Sequence, residues 1–327
     1  MAVPTVILPC TAVFLSIPSP TTKPSSANPS TATPHATMCL ADGLDSKYLN
    51  AKALLINMRI PFLIKNKGPS GLPFETAEIT PEDCKGCHLS YPSNFSVDSG
   101  PIWDSCKASK CQILVATGKQ DWKRDPQDDS GPHAPVCKAL DGSSSKFESI
   151  VGGYVRINAS DEENLEPGRI TVTVLPQFLS VNTTAHECVH DVLEILALKS
   201  QDPVPPKFRV RNEKGLLLLC SHRTRDKRCG ISAPIMKEAF DLELRDHELY
   251  RDHGDDTPDG VRVVFINHVG GHKFAANCFY YDKDGSAVLM ALVRPEHAHA
   301  IVEKTVLQGI VFPELLRNCS KNQHYEW

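Results

Sequence analysis

The sequence lacks two features that would each assign the protein to a broad class. It has no apolar run near the roughly 20 residues that a membrane-spanning helix needs, and its cleanest apolar runs, Gly215–Cys220 and Val261–Ile266, have the length of strands. It also has no long basic tract, and its formal net charge is −4. Affinity for nucleic acid depends on clustered Lys and Arg. We therefore expect neither a membrane span nor a nucleic-acid partner.

The amino-terminal region is poor in large apolar side chains. Residues 18–37 are mostly Pro, Ser, Thr and Ala, and such a stretch cannot bury enough surface to offset its ordering entropy. We predict a largely disordered leader over residues 1–70. The leader has no basic segment typical of a signal peptide and no arginine before Asp42, although it also has no acidic residue before that position. These features favour a cytoplasmic location, with a mitochondrial one as the alternative.

The chain length of 327 residues suits two domains of ordinary size. We predict a first lobe over residues 71–199, with strands at Cys111–Thr117 and Arg169–Leu175 and a helix at Thr184–Lys199. Ser200–Lys207 has three prolines in eight residues, which predicts a linker between lobes.

Residues 208–327 form the second predicted lobe, which has a clearer pattern. Its predicted elements are a strand, a helix, three strands and a final helix, at Gly215–Cys220, Ala233–His247, Arg262–Asn267, Asn277–Tyr281, Ala287–Val293 and Pro295–Leu307. This order suits a small α/β sandwich of the thioredoxin type. The fold class predicted for the chain is α/β.

Two pairs of possible metal ligands lie in the second lobe. Cys220 and Cys229 follow the first predicted strand, and His268 and His272 follow the next strand along the chain. Strand ends of an open α/β sheet are where sites are usually built. Gly270-Gly271 between the histidines allows a tight turn that turns both rings to one point. A single Cys or His is more often structural, but two pairs that each follow a strand favour a metal site.

The spacing alone leaves the metal open. Two thiolates and two imidazoles satisfy tetrahedral zinc, and equally a [2Fe–2S] cluster with the thiolates on one iron and the imidazoles on the other. The pattern differs from Rieske proteins, in which each ligand His lies within a few residues of a ligand Cys.

The chain has 12 cysteines, and four others could also bind metal. Cys84 and Cys87 form a Cys-x2-Cys pair, Cys106 and Cys111 form a looser one, and His88 is a spare ligand. A reactive dithiol at Cys84 and Cys87, or plain buried cysteines, are the alternatives.

A third possible site is the sequence HECVH. His186 and His190 would share one face of the predicted helix and could bind zinc, with Glu187 as the general base of a metalloprotease. No glycine-spaced third histidine follows. The alternative is an amphipathic helix in which this short pattern recurs by chance.

The second lobe resembles the sucrase/ferredoxin-like family of thioredoxin-like [2Fe–2S] ferredoxins, through the segments CSHRTRDKRCG and NHVGGHKFAANC. The segment ILVATGKQDW also resembles the degenerate amino-terminal half of that family, so the similarity runs from about Glu82 to Trp327. It implies two thioredoxin-like lobes, with a [2Fe–2S] cluster in the second, bound by Cys220, Cys229, His268 and His272. It further implies electron transfer or redox sensing without catalytic residues. The word sucrase has no support here, because no carboxylate pair suits glycoside hydrolysis.

Such a ligand set has consequences for the reduction potential. Two neutral imidazoles in place of two thiolates make the cluster less negative, which raises its potential above the value of about −400 mV typical of plant-type ferredoxins. Each imidazole also has a second nitrogen that can hold a proton. We therefore expect the potential to fall as the pH rises.

Two features indicate partner proteins. The basic loop, comprising Arg223, Arg225, Lys227 and Arg228, together with nearby Lys273, could dock an acidic redox partner or simply be a solvated loop. The chain ends in Tyr325-Glu326-Trp327, which resembles the tail by which cytosolic iron–sulfur assembly machinery recognises some client proteins. An aliphatic residue is commoner at the place of Tyr325.

Overall fold

The computed structural model of the protein describes residues 71–327. The predicted leader, with Cys10 and Cys39, lies outside the described residues. Within them, an 11-stranded mixed sheet is packed against helices. This confirms the α/β class.

The first half of the sheet contains five strands and three helices. They are β1 (Cys111–Ala116), α1 (His133–Asp141), α2 (Ser144–Val151), β2 (Val155–Ser160), β3 (Ile170–Leu175), β4 (Leu179–Thr183), α3 (Cys188–Ala197) and β5 (Phe208–Val210).

The second half contains six strands, one long helix and a helical segment near the carboxyl end. They are β6 (Gly215–Cys220), α4 (Lys227–Asp246), β7 (Tyr250–Arg251), β8 (Val261–Ile266), β9 (Cys278–Asp282), β10 (Ser286–Met290), a segment of 3-10 (Pro295–His297), α (Ala298–Ala300) and π (Ile301–Val306) turns, and β11 (Leu316–Lys321).

The two halves pair their strands in the same pattern. In the first half, β1 is parallel to β2 and antiparallel to β3, which is antiparallel to β4. In the second half, β6 is parallel to β8 and antiparallel to β9, which is antiparallel to β10. The halves join where β2 meets β8 in antiparallel orientation, at the pair Ser160–Ile266. The sheet is therefore continuous across them.

The central strand β6 is apolar along its whole length because both faces of the sheet are covered. Its alternate residues Leu217 and Leu219 share a core with Met236 and Phe240 of α4. Leu216 and Leu218 point to the opposite face and share a second core with Cys220 and Cys229. The core on this second face leads directly to the predicted ligands.

Residues 71–106 pack against the second half of the sheet, although the sequence analysis assigned residues 71–199 to one lobe. Leu72 and Tyr91 contact the helix-side core of the second half, and Tyr91 donates a hydrogen bond to the carbonyl of Val293 (2.7 Å). Phe95 and Cys106 contact the core that contains Cys220. This segment therefore covers the half of the sheet that carries the candidate site.

Two helix starts differ from the sequence prediction. Helix α4 begins at Lys227 instead of Ala233, because the Asp226 side chain accepts a hydrogen bond from the backbone N–H of Arg228 and caps the helix there. Pro234 consequently lies inside the helix, not in its first turn. Helix α3 begins at Cys188 instead of Thr184.

A buried network of four charged residues spans the joint between the halves. Arg211 donates to Glu162 (2.7 Å) and Glu213 (2.6 Å), and Arg262 lies 3.1 Å from Glu213. Burial by itself would raise the pKa of Glu213, but the charges and hydrogen bonds of the two arginines lower it to about 2. Each guanidinium in this network is therefore balanced by a carboxylate.

We expect Glu213→Gln to remove stability that depends on pH. Because the folded-state pKa lies below the ordinary value of 4.5, the carboxylate stabilises the fold above pH 4.5 and this contribution disappears as the pH falls toward 2. The shift corresponds to about 3 kcal/mol. Urea unfolding should show a wild-type advantage at pH 7 that shrinks across that window.

Glu187→Gln is the matched control, because Glu187 forms an exposed pair with Arg169 and should change the free energy of unfolding by less than about 1 kcal/mol. An advantage of wild type over Glu213→Gln that is the same at pH 7 and pH 3 would contradict the expectation.

Candidate metal centre

The register of β6 and β8 brings the predicted ligands to one edge of the sheet. The two strands are parallel, and Cys220 pairs with Ile266 at their carboxyl ends. Cys220 is the last residue of β6, and His268 lies two residues beyond β8. The carboxyl ends of parallel strands meet at the same edge. Cys220 and His268 consequently lie close together.

Cys229 reaches the same place from the first turn of α4. It is fully buried, and its thiol neighbours that of Cys220. The neighbouring Cys229 thiol, together with the nearby His268 ring and the backbone N–H of His222, holds the pKa of the Cys220 thiol well below its ordinary value, although burial opposes the shift. The pKa of Cys229 is raised, because its ionisation would place a second charge beside the first in a buried site. We call Cys220 and Cys229 the thiol pair.

The two predicted histidine ligands are neighbours. The ring centroids of His268 and His272 are 5.1 Å apart. Residues 268–272, which we call the histidine loop, turn tightly because Gly270 and Gly271 have φ of 81° and 65°, a backbone region that favours glycine. The two glycines therefore form the tight turn that the sequence predicts.

Each histidine has one ring nitrogen without a partner. Nδ1 of His268 and Nδ1 of His272 are buried and make no hydrogen bond. Buried polar atoms are nearly always hydrogen-bonded, so such an exception calls for an explanation. A neutral imidazole nitrogen is a common metal ligand. Beside the buried thiol pair, these two nitrogens fit a metal centre of two sulfur and two nitrogen ligands.

A third histidine, His222, lies beside the site but has both nitrogens occupied. Its Nδ1 accepts from the backbone N–H of His268 (3.2 Å), and its Nε2 lies 3.1 Å from the carbonyl oxygen of Trp122. Burial lowers the pKa of the ring, which favours the neutral form that can accept at Nδ1. His222 thus orients the histidine loop. This role was not predicted from the sequence. The only sequence feature that points to it is the position of His222, two residues after Cys220.

The first half of the sheet holds the loop that follows Cys220. Ser221 donates to the carbonyl of Gln120 (2.7 Å), and Thr224 donates through its hydroxyl and its N–H to the carboxylate of Asp121. Gln120 and Asp121 belong to the ILVATGKQDW segment. That segment therefore contributes backbone and carboxylate contacts that position the ligands of the other half.

Asp226 connects the start of α4 to His272. Its carboxylate accepts hydrogen bonds from the Arg228 side chain, which lower its pKa, and lies 3.7 Å from Nε2 of His272. This placement leaves Nδ1 of His272 for a metal. A carboxylate beside the outer nitrogen is the usual arrangement around ligand histidines.

The basic loop borders an open groove beside the site. Two of its arginines have acidic neighbours, since Arg228 pairs with Asp226 and Arg225 lies 3.6 Å from Asp125. Arg223 and Lys227 make no ion pair among the described residues. The positive charge of the loop is therefore partly balanced.

The structure does not gather the other four cysteines into one site. Cys84 and Cys87 are half-buried, and burial raises the pKa of both thiols. Cys106 packs against the core near Cys220, whereas Cys111 lies in the core of the first half. Among the described residues, Cys106 and Cys111 therefore face different cores.

The HECVH segment lies at the start of α3. His186 precedes the helix, in the turn before Cys188, and Glu187 pairs with Arg169. His190 instead clusters with Asp191 and Glu194, the one group in the described part of the chain whose three possible ligand atoms lie within 4.8 Å of one another. Lys207 already forms ion pairs with both of these carboxylates. His186 therefore lies outside the helix that carries His190.

The carboxyl-terminal tail is docked on the first half. The indole N–H of Trp327 donates to the carbonyl of Gln177 (2.7 Å), and the indole stacks on Tyr325 at 5.2 Å between ring centroids. Trp327 also packs against the apolar core of that half.

The fold and site define a mixed α/β protein with a Cys2His2 constellation at the carboxyl ends of two parallel strands. Residues 102–318 match the sucrase/ferredoxin-like family, and the chain belongs to that family. This confirms the resemblance on which the sequence analysis relied. No helix in the described part of the chain is long and apolar enough to cross a membrane.

Curated relatives support the same assignment. Actin patches distal protein 1 of Saccharomyces cerevisiae is 31% identical over 249 residues, covering 69% of this chain and 78% of that protein. Altered inheritance of mitochondria protein 32 of Clavispora lusitaniae is 32% identical over 153 residues, covering 47% of this chain and 48% of that protein. The protein of the same name from Debaryomyces hansenii is 37% identical over 106 residues, covering 32% and 35%. No solved structure matched the chain.

The packing of the histidine loop predicts unequal effects of alanine at its two glycines. Both have positive φ, which costs about 1–2 kcal/mol for a residue with a Cβ. A Cβ at Gly270 would meet nothing within 4 Å, whereas one at Gly271 would collide with the guanidinium of Arg317. Gly271→Ala should therefore lower the free energy of unfolding by more than Gly270→Ala does. Equal losses in urea unfolding would contradict this geometry.

Proposed function

We propose that the protein binds a [2Fe–2S] cluster through Cys220, Cys229, His268 and His272 and acts in electron transfer or redox sensing. The observation that carries this proposal is the pair of buried, unpartnered Nδ1 atoms of the two histidines beside the buried thiol pair. Nothing in the proposal requires catalytic residues.

The spread of the ligand atoms favours two metal ions over one. In tetrahedral zinc, ligand atoms lie about 3.3–3.8 Å apart, given Zn–N and Zn–S bonds of about 2.0 and 2.3 Å. No three of the four ligand atoms lie within 4.8 Å of one another, since the single such group among the described residues is at His190. A thiol pair and an imidazole pair held further apart suit a cluster in which each pair binds its own iron.

The chain would protect the thiol side and expose the histidine side of such a centre. Cys220 and Cys229 are buried, whereas 41% of the His272 side chain is exposed. A [2Fe–2S] cluster held there accepts and returns one electron. Burial of the thiol pair excludes water from the sulfur ligands, and the exposed edge of His272 offers a short route for an electron to a docked protein.

The finer fold assignment is part of this proposal. We propose that each half is a thioredoxin-like lobe, the second a ferredoxin domain. The shared pairing pattern of the two halves supports it. The first lobe contributes loop contacts in place of cluster ligands.

The proposed partners and location follow from charge and from the relatives. We propose an acidic redox partner that docks on the basic loop beside His272, and recognition of the Trp327 tail by cytosolic iron–sulfur assembly machinery after the tail leaves its contact with Gln177. The cytoplasm is the proposed location. A mitochondrial location is the alternative, which the name of the Clavispora lusitaniae relative favours.

The first prediction of this proposal is chemical. Protein purified without oxygen should be red-brown and contain nearly equal iron and sulfide, and Cys220→Ser should lose both. Cys319→Ser is the control, because Cys319 lies outside the thiol pair. If the wild-type protein is colourless and contains zinc, the cluster proposal would be replaced by a structural zinc site at the same four ligands. Zinc lost in His190→Ala but kept in Cys220→Ser would favour the hydrolase alternative at His186, Glu187 and His190.

The second prediction concerns pH. The reduction potential should fall as the pH rises, because reduction adds negative charge and favours a proton on the outer nitrogen of a ligand imidazole. Protein-film voltammetry from pH 5 to pH 10 measures this dependence. A potential that stays constant over the whole range would contradict proton coupling.

A further inference from the structure

Two buried arginines lie beneath the histidine loop. Arg156 is on β2, in the first half of the sheet, and Arg317 is on β11, at the edge of the second half. Their exposed fractions are 7% and 0%. Arg156 donates to the carbonyl of Val269 (3.1 Å), and Arg317 donates to the carbonyl of Gly270 (2.9 Å). Two distant parts of the chain thus hold adjacent carbonyls of one short loop.

Neither guanidinium has a carboxylate partner within the described chain. The remaining acceptors of Arg317 are neutral, namely the carbonyl and hydroxyl of Ser105 and the side chain of Asn277. Arg156 donates also to the carbonyl of Lys107, but its Nε is buried without a partner.

An unbalanced buried charge is costly. Removing an ion from water costs several kcal/mol even after relaxation, and neutral acceptors recover only part of it. The same protein balances its other buried arginines, Arg211 and Arg262, with Glu162 and Glu213. The charges at Arg156 and Arg317 therefore call for a negative group that the described residues do not supply.

The metal centre of the proposed function supplies such a charge. The charge of Arg317 lies within electrostatic range of Cys220 and Cys106, and that of Arg156 within range of Cys106. Both guanidinium groups also hold the loop between the histidine ligands. In the proposed function, the thiolates and the reduced cluster carry negative charge. Both would be buried beside these two arginines.

We propose that Arg156 and Arg317 are the buried counter-charges of the metal centre, which raise its reduction potential by stabilising the charge added on reduction. This inference rests on the proposed function. The step is the gain of one electron, supplied by an electrode or by dithionite, with no bond made or broken. The arginines act as positioning and electrostatic residues and are not ligands.

The first test removes one charge. Arg156→Gln should lower the ratio of reduced to oxidised protein at a fixed potential about tenfold, which is 59 mV for one electron, while Arg156→Lys should stay near wild type. Arg156 is the better choice than Arg317, because it makes fewer hydrogen bonds and its loss disturbs the loop less. Arg262→Gln is the matched control. It removes a buried arginine of the balanced network, and it should lower stability without shifting the potential.

The second test neutralises the charges without removing an arginine. Cys106 is within electrostatic range of both guanidinium groups and packs against the core that contains Cys220. Cys106→Asp would place a carboxylate there, and Cys106→Asn has the same shape without the charge. The aspartate variant should have a lower reduced-to-oxidised ratio than the asparagine variant, again by about tenfold. A lower ratio in the aspartate variant shows that charge at this place reaches the centre, and the comparison of Arg156→Gln with Arg156→Lys assigns such an effect to the arginine.

The outcomes separate this inference from the proposed function. A wild-type protein without iron and sulfide would overturn the proposed function and this inference with it. A protein with the cluster in which Arg156→Gln, Cys106→Asp and their controls all reduce at the wild-type potential would overturn the inference alone. Iron content measured in each variant ensures that only loaded protein is compared.

Discussion

The candidate site depends on the parallel, in-register pairing of β6 with β8. This pairing sets Cys220 opposite Ile266, so that the chain leaves both strands at the same edge and the two following loops meet. Cys229 lies near the same edge because Asp226 caps α4 three residues earlier. His272 lies there because Gly270 and Gly271 turn the chain back toward it. A shift of one residue in the register would turn Cys220 to the other face of the sheet. Four proposed ligands, spread over 53 positions of the sequence, thus come to one edge of the sheet through a single strand pair.

Buried polar contacts cross the joint between the two halves, and they explain what the first half contributes. Asn158 of β2 donates to the side chain of Asn267 (2.6 Å), directly before His268. Tyr281 of β9 donates to Gln112 of β1 (2.9 Å). Buried polar groups cost free energy unless their partners are in place. These contacts therefore favour one arrangement of the two halves, whereas a purely apolar joint would allow the halves to slide. The loop at Gln120–Trp122 is then fixed over the loop that follows Cys220. We infer that the first half serves chiefly to hold the site in its geometry.

Local patterns predicted six of the eleven strands and the candidate ligand pairs, but they missed β2, β4, β5, β7 and β11 and the contacts around the site. The sequence placed β6 at Gly215–Cys220 correctly and β8 within one residue, because apolar runs of strand length are a local signal. It missed α1, α2 and the early start of α4, where a capping aspartate outweighed Pro234. It could not find the packing of residues 71–106 or the two arginines, since Arg156 and Val269 are 113 positions apart. The sequence marks His222 only by its position two residues after Cys220. That position does not show that the His222 ring orients His268.

Two properties of the proposed centre act on the reduction potential in the same direction. Neutral imidazoles replace two thiolates and so remove negative charge from the ligand set. The guanidinium groups of Arg156 and Arg317 add positive charge in a buried place where water screens it little. Each property makes the added electron easier to hold, and neither requires the other. The arginines also bind the backbone of the histidine loop, so the residues that tune the charge are those that fix the imidazoles. A centre built in this way couples its geometry to its potential, and a change that loosens the loop would therefore also alter the electrostatics of the site.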